Sequence, residues 1–357
     1  MNLTTDLRLQ GIYIDASLQS LSDFLHQRQA QYSKFYILVD EHTHELCIPL
    51  LLSRVRALQS SEIIEMGAGE EYKSLQTATQ IWETLIENFA DRKTLILNLG
   101  GGVVTDLGGL VASLFKRGID FVHIPTTLLG MIDAAIGGKT AVNVGGAKNM
   151  IGTFNPPQGV FISVDFLSTL NRRDLYSGFG ELIKYGLIAS KDLWQSIEKH
   201  ELNENMELEW MIEECALIKS SIVREDFHEK GKRKWLNFGH TAGHALEAFA
   251  MHGHIRTLMH GEAVALGMII ELQLSVQLLH FDPQCQQRIQ HFILDNFDLY
   301  PIENKDFAKL IQWMKMDKKN QDSQVNFVLL SEVGVAHYDQ KVEDQQILHA
   351  LQYYASL

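Results

Sequence analysis

The chain is poor in residues that staple or stiffen a fold. Among 357 residues there are 3 cysteines and 6 prolines. Cys47, Cys215 and Cys285 lie far apart, are odd in number and form no CxxC pair. That excludes a disulfide framework and makes a reducing, cytoplasmic location the expectation. No run approaches the roughly 18 consecutive apolar residues of a membrane span. The opening MNLTTDLRLQ lacks the basic-then-apolar order of a secretory signal. Positive charge is also scarce. Lys and Arg number 31 against 44 Asp and Glu, a formal net charge of -13. A surface of that sign repels phosphate backbones and anionic lipid, so neither nucleic acid nor membrane is an expected partner. A local basic pocket remains compatible with it. The rest is ordinary globular composition, 46% hydrophobic and 21% charged. The length fits two domains, each with its own core.

The two halves differ in texture. Short apolar runs at Phe35 to Val39, Ile63 to Met66, Leu95 to Leu99, Phe121 to Ile124 and Val160 to Val164 are bounded by polar or Gly-containing turns. Continuous apolar character fits parallel strands buried on both faces. Helix-like stretches lie between them, as at Ser74 to Phe89 and Asp106 to Phe115, so a doubly wound α/β sheet is predicted. Beyond about Leu170, helical patterns dominate: Arg172 to Ile188, Glu209 to Val223, Thr241 to Ala250 and Gly261 to Gln277. The predicted division is residues 1–170 as an α/β domain and 171–357 as a mostly α-helical one. The run Val325 to Leu330 reads as a short strand.

The densest chemical signal runs from Gly100 to Gly152. Gly100, Gly101 and Gly102 follow a strand and open a helix, where backbone amides approach a phosphate and the helix start favours an anion. The spacing is not GxGxxG, so a tight turn and a dinucleotide site stay equally open on this motif alone. Pro125-Thr126-Thr127 follows the next strand, placing hydroxyls at the carboxyl end of the sheet. Asp133 then precedes Gly137-Gly138-Lys139 and Gly145-Gly146-Ala147-Lys148-Asn149. Two lysines nine apart in such a Gly-rich, apolar loop suit phosphate or oxyanion clamps. The P-loop spacing is missing, which argues against an ATPase.

A second cluster is metal-like. Five of the 15 histidines fall between His240 and His260. His240 and His244 stand i, i+4 on one helical face, a spacing that suits two ligands. Glu181 and Lys184 share another helical face, and Lys219, Arg233 and Asn237 lie on the approach to the His helix.

In this order the blocks GGGVVTDLGG, KRGIDFVHIPTTLLGMIDAAIGGKTAVN, GGAKNMIGTFNPP, SGFGELIKYGLI, LNFGHTAGHALE and MHGEAVALGM resemble the 3-dehydroquinate synthase family of sugar-phosphate cyclases, from Gly69 to Lys319. The resemblance implies a Rossmann-like NAD-binding α/β N-terminal domain and an α-helical, metal- and substrate-binding C-terminal domain. It implies that 3-deoxy-D-arabino-heptulosonate 7-phosphate loses phosphate and closes to 3-dehydroquinate, on the shikimate route to chorismate and the aromatic amino acids. NAD would take a hydride and return it, and one divalent metal, zinc or cobalt, would assist. The metal ligands it implies are Glu181, His240 and His260, in place of the His240–His244 pair, and His244 would handle protons at the reacting hydroxyl. NAD contacts would come from Glu70, Lys73, Gly101, Gly102, Val103, Asp106, Thr126, Thr127, Asp133, Lys139, Lys148 and Thr169. Asp40, ending an early strand, suits a ribose. Substrate would meet Asp133, Lys139, Asn149, Lys184, Lys219, Arg233, Asn237, His244 and Lys318 or Lys319. Arg117 would reach the substrate phosphate from a partner subunit, which implies a homodimer. Lys139, Lys184, Lys219, Arg233, Asn237 and His244 form the implied catalytic set. The chain departs from the family pattern at Ala134-Ala135, where a Ser pair is usual, and in a longer segment from Ala245 to Met259. A cyclase making a valiolone or an inosose, a metal-dependent polyol dehydrogenase and a non-catalytic NAD-binding regulator are the competing readings. The set Lys219, Arg233, Asn237 and His244 favours the carboxylate-bearing heptulosonate.

Overall fold

The apolar runs at the centre of the first half's sheet become strands because both of their faces are covered, whereas the edge strand Glu62–Met66 alternates buried Ile64 and Met66 with exposed Ile63 and Glu65. The computed structural model describes residues 3–145, 147–203, 206–252, 255–316 and 325–357. Its strands are β1 (Ile12–Ile14), β2 (Lys34–Asp40), β3 (Glu62–Met66), β4 (Thr94–Gly100), β5 (Asp120–Pro125), β6 (Lys139–Val144), β7 (Ala147–Phe154), β8 (Val160–Ile162), β9 (Val325–Glu332) and β10 (Val335–Val342). Six form one parallel sheet in the order β1-β8-β5-β4-β2-β3. All seven residues of β4, at its centre, are buried. Each of Leu95, Ile96, Leu97 and Leu99 thereby contributes roughly 1.5–3 kcal/mol.

The helix Gly102–Leu114 lies close on this sheet because Gly108 and Gly109 carry no side chain. A Cβ at Gly108 would sit 1.9 Å from Asn98 Oδ1, and one at Gly109 would sit 2.5 Å from Thr140 Cγ2. Lys139–Val144 and Ala147–Phe154 read in sequence as part of a Gly-rich loop but pair as an antiparallel ribbon of β6 and β7. The cause is the β-branched Thr140, Val142 and Val144 at every second position of Lys139–Val144, with glycines separating the two strands in sequence.

The chain forms two units. The first holds Met1–Asn171 and Glu207–Ser221; the second holds Arg172–Met206 and Ile222–Leu357. The segment Glu207–Ser221, expected with the helical half, groups with the α/β half.

The second unit is mostly helical, with helices at Arg172–Ala189, His240–His252, His260–Leu279, Pro283–Asn296 and Asp344–Ala355. β9 and β10 add an antiparallel hairpin. The helix His260–Leu279 is long and apolar enough to span a membrane, with a mean hydropathy of 1.5 over its best window. Yet 67% of that window is buried within the protein, which is the behaviour of a core helix. The three cysteines form no disulfide.

Candidate active site

In the first unit the strand order reverses between β2 and β4. From β2 the chain steps outward to β3, returns past β2 to β4 and continues to β5. Open α/β sheets bind ligands beyond the carboxyl ends of their strands at such a point. Asp40 ends β2 and Gly100 ends β4. The Asp40 carboxylate is fixed there by capping the next helix, accepting the Thr43 N–H at 2.8 Å. Gly101 is the N-cap of the helix Gly102–Leu114, so the first amides of that helix, beginning with Gly102 and Val103, have no intrahelical acceptor. The Thr126 N–H donates to the Gly100 carbonyl at 3.1 Å. A Cβ on Gly101 would lie 3.0 Å from Thr127 Cγ2. The triple-Gly turn and the Pro-Thr-Thr turn are therefore neighbours, and together they fit a diphosphate. Ala134, one of the departures from the family pattern, abuts this turn: a Cβ on Gly102 would lie 3.2 Å from its Cβ.

Behind the turn runs a polar network. Lys73, buried, donates from Nζ to Asp106 Oδ2 at 2.6 Å and to Asn149 Oδ1 at 2.7 Å. Burial raises the Asp106 carboxyl above its ordinary value against the pull of Lys73. Asn143, which sequence reasoning missed, ties the network together. Its Oδ1 accepts the Asn149 N–H at 2.8 Å, its Nδ2 donates to Glu70 Oε1 at 2.8 Å, and its N–H donates to the Lys73 carbonyl at 2.8 Å. Lys219 Nζ donates to the Asp133 carbonyl at 2.5 Å and to Asp133 Oδ1 at 2.7 Å. Lys139 opens β6 and is exposed, while Lys148 lies half-buried in β7. The Thr169 hydroxyl donates to the Phe166 carbonyl at 2.7 Å. Arg117 is exposed in a turn, at φ +71.

In the second unit Glu181, His240 and His260 each bring one ligand atom to a common point, all within 4.8 Å of one another. His240 Nε2 lies 3.3 Å and His260 Nε2 lies 3.2 Å from Glu181 Oε1. Three helices meet here, and glycine beside each key residue lets them meet. A Cβ at Gly180 would lie 2.1 Å from the Gly261 carbonyl oxygen. One at Gly261 would lie 1.7 Å from the Ser177 carbonyl oxygen. One at Gly243 would lie 2.8 Å from the Ala263 carbonyl oxygen. The ring of His244 stands 5.4 Å from His240 and 5.8 Å from His260, centroid to centroid, beside the three converging atoms.

The donor set fits a divalent cation. His240 Nδ1 faces the Phe238 carbonyl at 3.1 Å. A carbonyl only accepts, so the ring proton sits on Nδ1 and the Nε2 lone pair faces Glu181 Oε1. Two electron-rich atoms directed at one another are reconciled by a cation between them, and two imidazoles with one carboxylate match a catalytic zinc set. Burial pushes His240 down to about 4. Burial opposes protonation of His260 too, but Glu181 and Glu247 carry it up to about 9. Burial works against the Glu181 charge, yet Lys184 and His240 hold the carboxyl well below its ordinary range. Lys184 Nζ contacts Glu181 Oε2 directly, both side chains being buried.

The approach to the His helix is equally fixed. Arg233, 1% exposed, donates from its guanidinium to the Phe227 carbonyl at 2.6 Å, and its N–H donates to Asp226 Oδ2 at 3.1 Å. Asn237 Nδ2 donates to Glu229 Oε1 at 3.0 Å. Sequence reasoning missed Glu247, whose Oε2 lies 3.9 Å from His260 Nδ1, and the fully buried Glu271. Lys318 and Lys319 lie outside the described residues.

The 3-dehydroquinate synthase N-terminal family model matches residues 63–177, and the 3-dehydroquinate synthase C-terminal model matches residues 178–320. The chain is 40% identical over 348 residues to the 3-dehydroquinate synthase of Parabacteroides distasonis, covering 97% of this chain and 98% of that one. Among solved structures it is similar to 2-deoxy-scyllo-inosose synthase complexed with carbaglucose-6-phosphate, NAD+ and Co2+, with a TM-score of 0.81, 26% identity and 96% of each chain covered. It is also similar to 2-epi-5-epi-valiolone synthase from Streptomyces hygroscopicus with NAD+ and Zn2+ bound, with a TM-score of 0.81 and 26% identity, covering 97% of this chain and 96% of that one.

Proposed function

Because this chain belongs to the 3-dehydroquinate synthase family, we propose that it converts 3-deoxy-D-arabino-heptulosonate 7-phosphate to 3-dehydroquinate and phosphate, with NAD and one divalent metal. The observation that carries the chemistry is the convergence of Glu181, His240 and His260. When bound, NAD supplies a transient hydride acceptor, and the cation polarises the substrate hydroxyl that is oxidised.

The residues of the chain do the remaining work. Glu181 Oε1 and the Nε2 atoms of His240 and His260 hold the cation. His244, beside them, moves the proton of the reacting hydroxyl through its imidazole. Asp40 holds a ribose, and the amides of Gly102 and Val103, with Thr126 and Thr127, hold the diphosphate. Lys73, Asp106 and Glu70 set the shape of that pocket. Lys139, Asn149, Lys184, Lys219, Arg233 and Asn237 bind the anionic substrate. Asp133 holds the Lys219 ammonium by two hydrogen bonds, so its charge is aimed rather than swung through solvent.

Heptulosonate is preferred over the substrates of the two cyclases similar in structure because identity is 40% to a dehydroquinate synthase and 26% to each of those. A homodimer is the proposed assembly. Val144, Met150, Ile151 and Phe154 of the β6–β7 ribbon are exposed apolar residues that a second copy would cover. A cytoplasmic location accords with three cysteines that form no disulfide.

The test is to incubate the purified protein with heptulosonate phosphate, NAD and zinc or cobalt, and to follow phosphate and dehydroquinate. Stoichiometric release of both, with no net NADH, is the expected result. No release under metal-replete conditions overturns the assignment, and NADH accumulating with a polyol converts it to a dehydrogenase.

A further inference from the structure

The helix His260–Leu279 supplies more than His260. Glu271, about three turns further along it, is fully buried. Its carboxylate reaches the start of the neighbouring helix His240–His252. Oε2 accepts the Gly239 N–H at 2.7 Å and Oε1 accepts the Ala242 N–H at 3.2 Å. These two amides bracket His240. A buried carboxylate is costly unless it is hydrogen-bonded. Here it takes two charge-assisted bonds at the positive end of a helix. Gly239, at φ +77, leaves no room for slippage: a Cβ there would lie 2.6 Å from Met268 Cγ and 2.8 Å from the Val264 carbonyl oxygen, both on the helix that carries Glu271. The Glu271 turn is itself tied down. Its carbonyl accepts the Ser275 hydroxyl at 2.7 Å, and that oxygen accepts the Leu330 N–H of β9 at 3.0 Å.

One helix thus carries His260 at its first residue and grips the backbone on both sides of His240. We propose that Glu271 is a positioning residue that fixes the separation of His240 Nε2 and His260 Nε2, and so sets the affinity of the site for a divalent cation. The proposal rests on the metal reading given above. It assigns a task to a residue that touches neither metal nor substrate.

The experiment titrates metal-free protein with Co2+ alone, read by visible absorption and by competition with a chelator. NAD affinity and the urea midpoint are followed alongside. Wild type should bind one cobalt per chain and His240→Ala should not. Glu271→Gln keeps the size but turns an amide NH2, a donor, toward one of the two backbone N–H groups. It should bind cobalt at least about tenfold more weakly, as removal of a supporting partner behind a metal ligand commonly does, with NAD affinity unchanged. A lowered urea midpoint with cobalt affinity within twofold of wild type would show a helix cap only and overturn the proposal. If Glu271→Gln does not fold, Glu271→Asp decides. It keeps the charge but withdraws it by one methylene, and wild-type cobalt affinity in that variant overturns the proposal, whereas a tenfold loss supports it. A wild type that binds no cobalt overturns the metal reading itself, and the proposal with it.

Discussion

Both units pair buried lysines with carboxylates, but among the described residues only the second adds imidazoles to such a pair. In the first, each buried lysine already holds a carboxylate: Lys73 with Asp106, and Lys219 with Asp133. An anionic ligand there shares cations with acidic side chains, so binding is a redistribution of hydrogen bonds. In the second, two imidazole nitrogens and a carboxylate oxygen point at one another, and one cation would satisfy all three at once. The first unit sets out cations held by acids, and the second adds a metal-like cluster beside its own buried Lys184 and Arg233, although the chain as a whole carries a net charge of -13. Net charge describes the outside; the sites are decided by a few placed groups.

Four predictions probe that contrast, from the largest effect down. His240→Ala should lose bound metal and about a thousandfold in turnover, since a Lewis acid supplies several kcal/mol. NAD affinity, which the proposed function places in the first unit, should stay within twofold; a matching loss of NAD binding would erase the contrast. The second compares glycines. Gly180→Ala drives a Cβ to 2.1 Å from a backbone oxygen, whereas Gly108→Ala drives one to 1.9 Å from the Asn98 side chain. Backbone cannot step aside, so Gly180→Ala should cost about 3 kcal/mol and Gly108→Ala about 1 kcal/mol in urea unfolding. The reverse order would mean the helices of the metal unit are looser than their contacts indicate.

Third, His244→Ala should keep the metal and lose about a hundredfold in rate, the usual range for one proton-transfer group. Loss of metal equal to that of His240→Ala would make His244 a ligand. The smallest effect concerns pH in the first unit. His123 is buried, and desolvation pushes it down to about 3. The unfolded chain takes up that proton below about pH 6.5, so stability is complete above that pH and falls as the pH drops toward 3. The loss by pH 5 is about 2 kcal/mol. His123→Gln should lose less between pH 7 and pH 5, judged by urea midpoints, and an unchanged slope would place the titrating group elsewhere.

How far the sequence could be read follows from the kind of signal each part sends. Continuous apolar runs such as Phe35 to Val39 announced the central strands because burial on both faces leaves nothing to alternate. β1, of three residues, was too short to register. β6 and β7 were hidden by the glycines around them, which suggested a loop while Thr140, Val142 and Val144 carried the strand character. Helical period put His240 and His244 on one face, but no period links Glu181 or His260, on other helices, to that face. That signal lay in glycine neighbours: Gly180, Gly239, Gly243 and Gly261 each adjoin one of these four residues, and each is closed to a Cβ. Glu271 sent no local signal, because its partners are backbone amides on another helix. The grouping of Lys219 with the α/β unit was likewise invisible to a division drawn at one point along the chain.

The central claim is that Glu181, His240 and His260 hold one divalent cation. Anomalous diffraction at the cobalt edge, from crystals of the protein grown with Co2+, tests it most directly. The account predicts one strong peak per chain, bonded to Glu181 Oε1, His240 Nε2 and His260 Nε2, with His244 outside bonding distance. A peak bonded to His240 and His244 without Glu181, or no peak at this cluster, would contradict it.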